Sequence, residues 1–254
     1  MTQNSKERAL TPREYELLLE GARRIEKPRQ RREAVFAILL TGRLGLRAGE
    51  LIHLREEWVD WRQQRIEIPR QADCHLGEGA DCCGYCRQAA VQMVEHYDPG
   101  EGEDSMARTR ERMLNRHLED GFRAGDQLSV DEAKTVRWFA KTESACREVP
   151  FAWDPRTELA IERFFDHGRD GWMLSKTALN RRLNKALENA DGLTQDSTMP
   201  HGLRATAASY HAGRGMPALA LQSLLGWADM QTSQRYIRQS PDNTERVLHQ
   251  LHSI

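Results

Sequence analysis

Apolar residues recur along most of this chain at the interval of an α-helix. Tyr15, Leu18, Leu19, Ala22 and Ile25 keep one face three and four residues apart. Thr11-Pro12-Arg13-Glu14 supplies the start: a capping hydroxyl, a proline suited to the first turn, and a glutamate that closes a capping box. The spacing predicts a second helix from about Arg31 to Thr41 that buries Val35, Ile38, Leu39 and Leu40. The glycines between Thr41 and Leu51 break it and open a short third helix ending near Leu54. Trp58 to Trp61 and Arg65 to Pro69 alternate apolar and polar residues and predict a strand hairpin. Thr135 to Phe139 and Arg147 to Phe151 predict a second hairpin, with Lys141 in its turn. Helices are again predicted from Asp154-Pro155 (apolar side Leu159, Ile161, Phe164 and Phe165), from Ser175, from Pro200-His201 to Gly213, and from Pro217 to Gly226. The expected class is mainly α with a small antiparallel β-sheet, an α+β fold.

Between about 71 and 130 this periodicity lapses, and the segment reads as an insertion. It holds four of the five cysteines, Cys74, Cys82, Cys83 and Cys86, spaced C-x7-C-C-x2-C with His75 adjacent. Such crowding suggests metal ligation rather than a secreted disulfide framework. Structural zinc takes four ligands, and adjacent cysteines rarely both bind one ion. The fourth ligand is therefore open among Cys82, His75, His96 and His117, and reduced, unligated thiols are the bland alternative.

Composition narrows the partners. No run approaches the roughly 20 apolar residues of a membrane span, and the N-terminus has no apolar signal region, so a soluble cytoplasmic protein is expected. The net charge of −1 gives no global basic field for nucleic acid. Local basic runs exist at Arg23 to Arg32 and at Arg181, Arg182 and Lys185, although a run taken alone is usually a solvated face.

Chemistry concentrates in Met199 to Arg238. His201 and Arg204 stand three apart, hence on one helical face; Trp227 follows a short apolar helix, and Tyr236 lies near the end. Upstream, Arg47 sits on the glycine-rich bend and Lys141 in the second hairpin. Each has a bland reading alone: a surface ion pair for Arg47 or Lys141, core packing for Trp227 or Tyr236. The ordered set, TGRLGLRAGEL, AKTESACREVPF, HGLR and LLGWADMQTSQRYI, resembles the catalytic domain of the tyrosine recombinase (phage integrase) family. The Cys-bearing insertion looks like those of haloarchaeal and viral integrases.

That resemblance implies a site-specific DNA recombinase acting through a covalent 3′-phosphotyrosyl intermediate. Its catalytic residues would be Arg47, Lys141, His201, Arg204, Trp227 and the nucleophile Tyr236. Trp227 falls where most members carry His; its indole can donate a hydrogen bond but moves no proton. No cofactor is implied for catalysis, and a structural zinc is expected only in the insertion. The implied partners are double-stranded DNA sites, a homotetramer assembled on them with Pro241 to Ile254 as docking segment, and an accessory factor. The implied location is the nucleoid. The integrase of a provirus or mobile element is the first expectation. The alternatives are a chromosome-dimer resolvase and a non-cutting, zinc-stabilised DNA-binding protein. Residues 1–254 are expected to form one catalytic domain, with the insertion at about 71–130 and without the N-terminal core-binding domain that most members have.

Overall fold

The first helix of the computed structural model, α1 (Pro12–Arg23), is capped as its residues dictate. The Thr11 hydroxyl accepts from the Glu14 amide at 3.3 Å, and the Glu14 carboxylate accepts from the Thr11 amide at 2.8 Å. The structure describes residues 9–74, 76, 83–86, 138–140, 142–166, 170–172, 174–193, 199–238, 244, 245, 248 and 249. The chain divides into two compact units, Met1–Arg70 with Ala140–Ile254, and Gln71–Phe139.

In the larger unit the axis is α2 (Pro28–Gly42). It starts three residues before the expected Arg31, because Pro28 fills a first-turn position whose amide has no helical acceptor. Its second half, Phe36 to Gly42, is buried on every side, although Val35 is only half-buried. Packed along it are α1, α4 (Pro155–Phe165), α5 (Lys176–Glu188) and α6 (Pro200–Gly213). Phe36 stacks on Phe164 with centroids 3.9 Å apart, and Trp172 lies parallel at 6.2 Å. Buried aromatic contact of this kind is worth about 3–5 kcal/mol against truncation to alanine.

On α4 the expected apolar side needs correction at Leu159, which is exposed. The buried face is Thr157, Ile161, Phe164 and Phe165. Residues two apart point to nearly opposite sides of a helix, so Leu159 cannot share the face of Ile161. The basic runs are partly neutralised here. Glu33 is fully buried in α2 and accepts Arg29 at 3.0 Å and Arg182 of α5 at 2.6 Å.

Three strands form an antiparallel sheet in the order β1 (Val59–Asp60), β2 (Arg65–Ile68), β5 (Arg147–Pro150). The β1–β2 hairpin is the expected one. The second expected hairpin is overturned: β5 pairs with β2, in the register Ile66 opposite Val149 and Glu67 opposite Glu148. The short strand Trp138–Phe139 (β4) pairs instead with Gln71–Ala72 (β3) inside the smaller unit. The physical reason is that β2 has a second ladder edge to satisfy. Its inward residues Ile66 and Ile68 match the inward Val149 of β5. Within the larger unit the main chain closes on itself: the Ala140 amide donates to the Arg70 carbonyl at 3.0 Å.

The C-terminal part completes the larger unit. Helix α7 (Ala218–Leu225) ends at Gly226, and α8 (Met230–Arg238) packs on α6 and α7. Ala205, Ala208 and Ala212 of α6, Leu221 and Leu225 of α7, and Tyr236 of α8 share one buried cluster. Among the described residues no helix is long and apolar enough to cross a membrane.

Candidate functional site

Arg47 is fixed from behind by its own helix. It caps α3 (Ala48–His53) in extended conformation, and Glu50, three residues on, reaches back to it. One Glu50 oxygen accepts the Arg47 amide at 2.8 Å and the other accepts Arg47 Nη1 at 2.7 Å. Arg147 of β5 approaches the same carboxylate with both terminal nitrogens, each at 2.9 Å. Its Nε donates to the Leu224 carbonyl at 2.7 Å. Burial pushes the Glu50 carboxyl up, but the charge and hydrogen bonds of Arg147, followed by the charges of Arg204 and Arg47, lower it overall to about 2. Glu50 is therefore ionised at every physiological pH and neutralises part of a cluster of three arginines.

Two glycines in left-handed conformation bring the second guanidinium and the first together. Gly45 has φ +70°, and a Cβ there would lie 2.1 Å from Leu225 Cδ2. Gly226 has φ +58°, and a Cβ there would lie 2.8 Å from the Ser144 carbonyl oxygen. Only glycine accepts both the backbone angle and the approach. Arg204 of α6 is buried and donates to the Gly45 and Leu225 carbonyls. Arg47 Nη2 donates to the Gly226 carbonyl at 2.6 Å. Each guanidinium thus spends two of its five N–H donors on the protein, and three per group remain to contact an anion. Burial, then the neighbouring Arg47 charge, brings Arg204 down to about 9, which still leaves it protonated at neutral pH.

Trp227 and Tyr236 complete the described cluster. Their rings stack with centroids 5.3 Å apart and 15° between planes, and the Arg204 guanidinium lies 5.9 Å from the Trp227 centroid. Tyr236 is 6% exposed. Burial pushes its phenol up, while Arg204 and then Arg235 pull it back. A phenol in this setting gives up its proton only to a positioned base. His201 occupies the first turn of α6, one turn before Arg204, and is exposed. Lys141 lies outside the described residues.

The structure thus brings Arg47, Arg204, Trp227 and Tyr236 together, with Glu50 among them. The sequence reading missed Arg147, whose side chain is 4% exposed. The available signal was alternation: Arg147 and Val149 are two apart on a strand, so Arg147 shares the face of a buried apolar residue. Tyr210, the competing phenol of α6, is half-buried between Arg43 and Arg214, whose guanidiniums lie 4.1 Å and 3.5 Å from its ring centroid. In the smaller unit, the sulfurs of Cys74, Cys83 and Cys86 lie within 4.8 Å of one another, and Cys82 falls outside the described residues.

Comparison with known proteins bears on the same elements. Residues 154–243, which carry α4 to α8, match the model of the phage integrase family. No curated protein sequence matches the chain. Among solved structures, the chain is similar to XerA recombinase, with TM-score 0.54, 15% identity, and coverage of 96% of this chain and 63% of that one. It is similar to the Tn1549 transposon integrase in complex with transposon right-end DNA, with TM-score 0.55, 17% identity, and coverage of 97% and 66%. The same integrase in complex with circular-intermediate DNA gives TM-score 0.56, 17% identity, and coverage of 96% and 66%. The chain therefore spans just under two thirds of the length of these structures.

Proposed function

We propose that the chain is a member of the tyrosine recombinase family, a reading supported by its phage integrase segment and its fold, and that it cuts and rejoins DNA through Tyr236. The observation that carries this reading is the cluster of Tyr236 with Trp227 and Arg204, joined to Arg47 through the Gly226 carbonyl. Tyr236 Oη attacks a backbone phosphorus. The bond from phosphorus to the 5′-oxygen breaks, and its electron pair leaves on that oxygen. His201 accepts the phenol proton and Lys141 protonates the departing oxygen, which yields a 3′-phosphotyrosyl link and a free 5′-hydroxyl. Rejoining is the reverse, with a new 5′-hydroxyl as nucleophile and Tyr236 as leaving group. Covalent storage of the phosphodiester energy removes the need for a nucleotide cofactor.

Arg47 and Arg204 clamp the two non-bridging oxygens and stabilise the charge that builds on them, a role worth several kcal/mol per group. Their positive charge serves the purpose that metal ions serve in other phosphoryl-transfer sites. Trp227 keeps the phenol ring in plane by stacking. Within this chemistry, integration or excision of a mobile element is the favoured role, supported by the likeness to a transposon integrase. The working form is a homotetramer on two double-stranded DNA sites, with the Pro241 to Ile254 segment, most of which lies outside the described residues, docking on a neighbour.

The test is a nicked suicide substrate bearing the element's attachment site, read as a covalent protein–DNA band after denaturation. The expected outcome is an adduct in the wild type and none in Tyr236→Phe. An adduct that persists in Tyr236→Phe overturns the nucleophile, and no adduct on a bound, verified site favours a non-cutting DNA-binding protein.

A further inference from the structure

The smaller unit carries three cysteine sulfurs in one place for which the recombination chemistry has no use. Cys74, Cys83 and Cys86 place their Sγ atoms within 4.8 Å of one another, and Cys83 and Cys86 are buried. Cys83 immediately precedes the helical residues Gly84 to Cys86, the C-x2-C spacing that lets one turn present two sulfurs to one point. Backbone amides are aimed at the sulfurs: Cys83 N–H lies 3.3 Å from Cys74 Sγ, and Cys86 N–H lies 3.5 Å from Cys83 Sγ. A neutral thiol is a weak acceptor, whereas a metal-bound thiolate is held and tuned by such donors. Besides that turn, the described secondary structure of this unit is the two-residue β3–β4 ladder, too small to be stable by itself.

We propose that Cys74, Cys83 and Cys86 bind a structural zinc ion as thiolates, supplying three of its four ligands. At a Zn–S length of about 2.3 Å, tetrahedral ligation sets sulfurs about 3.8 Å apart, so the present cluster needs to contract by an ångström or less. Binding expels the thiol protons and ties β3 to the cysteine turn, in the way structural zinc sites couple metal to folding. Zinc fits better than magnesium or calcium, which take oxygen ligands. The proposal is independent of the nucleophile assignment and is read without DNA.

Elemental analysis of the full chain, purified under reducing conditions without chelator, should give about one zinc per chain. X-ray absorption should show sulfur at about 2.3 Å. Cys83→Ser with Cys86→Ser should lose the metal. A strong chelator should expose segment 71–139 to proteolysis while the 140–254 segment stays protected. A folded wild type that is metal-free, with titratable thiols or with a disulfide among the three, overturns the proposal whatever the variant does. A zinc spectrum with only nitrogen and oxygen neighbours overturns it too.

Discussion

Glu50 carries one negative charge, almost fully buried, that Arg47 and Arg147 share through direct hydrogen bonds. Its carboxyl is held at about 2 against an ordinary value of 4.5. A group lowered on folding adds stability that is fully present above the unfolded value and lost as pH falls through the folded one. Wild-type stability should therefore decline between about pH 4.5 and 2, by on the order of 3 kcal/mol from this residue alone. Glu50→Gln should unfold more easily at neutral pH by about 3 kcal/mol, because it leaves guanidiniums buried without their counter-charge. It should also flatten that acid limb. Denaturant curves across a pH series read both effects, and an unchanged acid limb would dismiss the assignment.

Helix ends were legible in the sequence because the atoms that fix them are neighbours along the chain. Thr11 with Glu14, Asp154 with Arg156, and Ser175 with Ala178 cap their helices through contacts two or three residues apart. The pairing of β5 was not legible, unlike that of the β1–β2 hairpin, since β5 joins β2 from far along the sequence and its register depends on Ile66 meeting Val149. Arg147 was hidden for the same reason: its acceptor Glu50 belongs to another element 97 residues away. The Arg47, Arg204, Trp227 and Tyr236 set could be listed from sequence, but not the carbonyls that hold the two arginines. Those carbonyls come from bends whose geometry rests on glycine. Gly226→Ala should cost about 1–2 kcal/mol for the left-handed backbone alone, and more from the crowding against Ser144 and Ala145. The expected result is a lower melting temperature with adduct formation reduced further than stability predicts. Equal losses in both would reduce Gly226 to a helix terminator.

At the scale of the molecule, the hydrogen bond from Ala140 to the Arg70 carbonyl closes the larger unit at the two chain ends that bracket residues 71–139. Replacing Gln71–Phe139 by a short glycine-containing turn should therefore leave Met1–Arg70 and Ala140–Ile254 folding in one cooperative transition, since loop closure costs little when the ends already meet. Circular dichroism with thermal unfolding measures this, and a molten or aggregated product would mean that the larger unit depends on the segment. The bond from Arg47 to Gly226 has a different reach. Gly226 begins the connection to the helix that bears Tyr236, so under the proposed mechanism the hand that grips the phosphate also grips the root of the nucleophile's arm. On that reading the two form an interlock, in which a chain whose α8 has swung away would hold a loosened clamp rather than an armed one. Hydrogen exchange should show this directly, with Arg47→Ala raising exchange across residues 226–238 while the amides of α2 keep their protection.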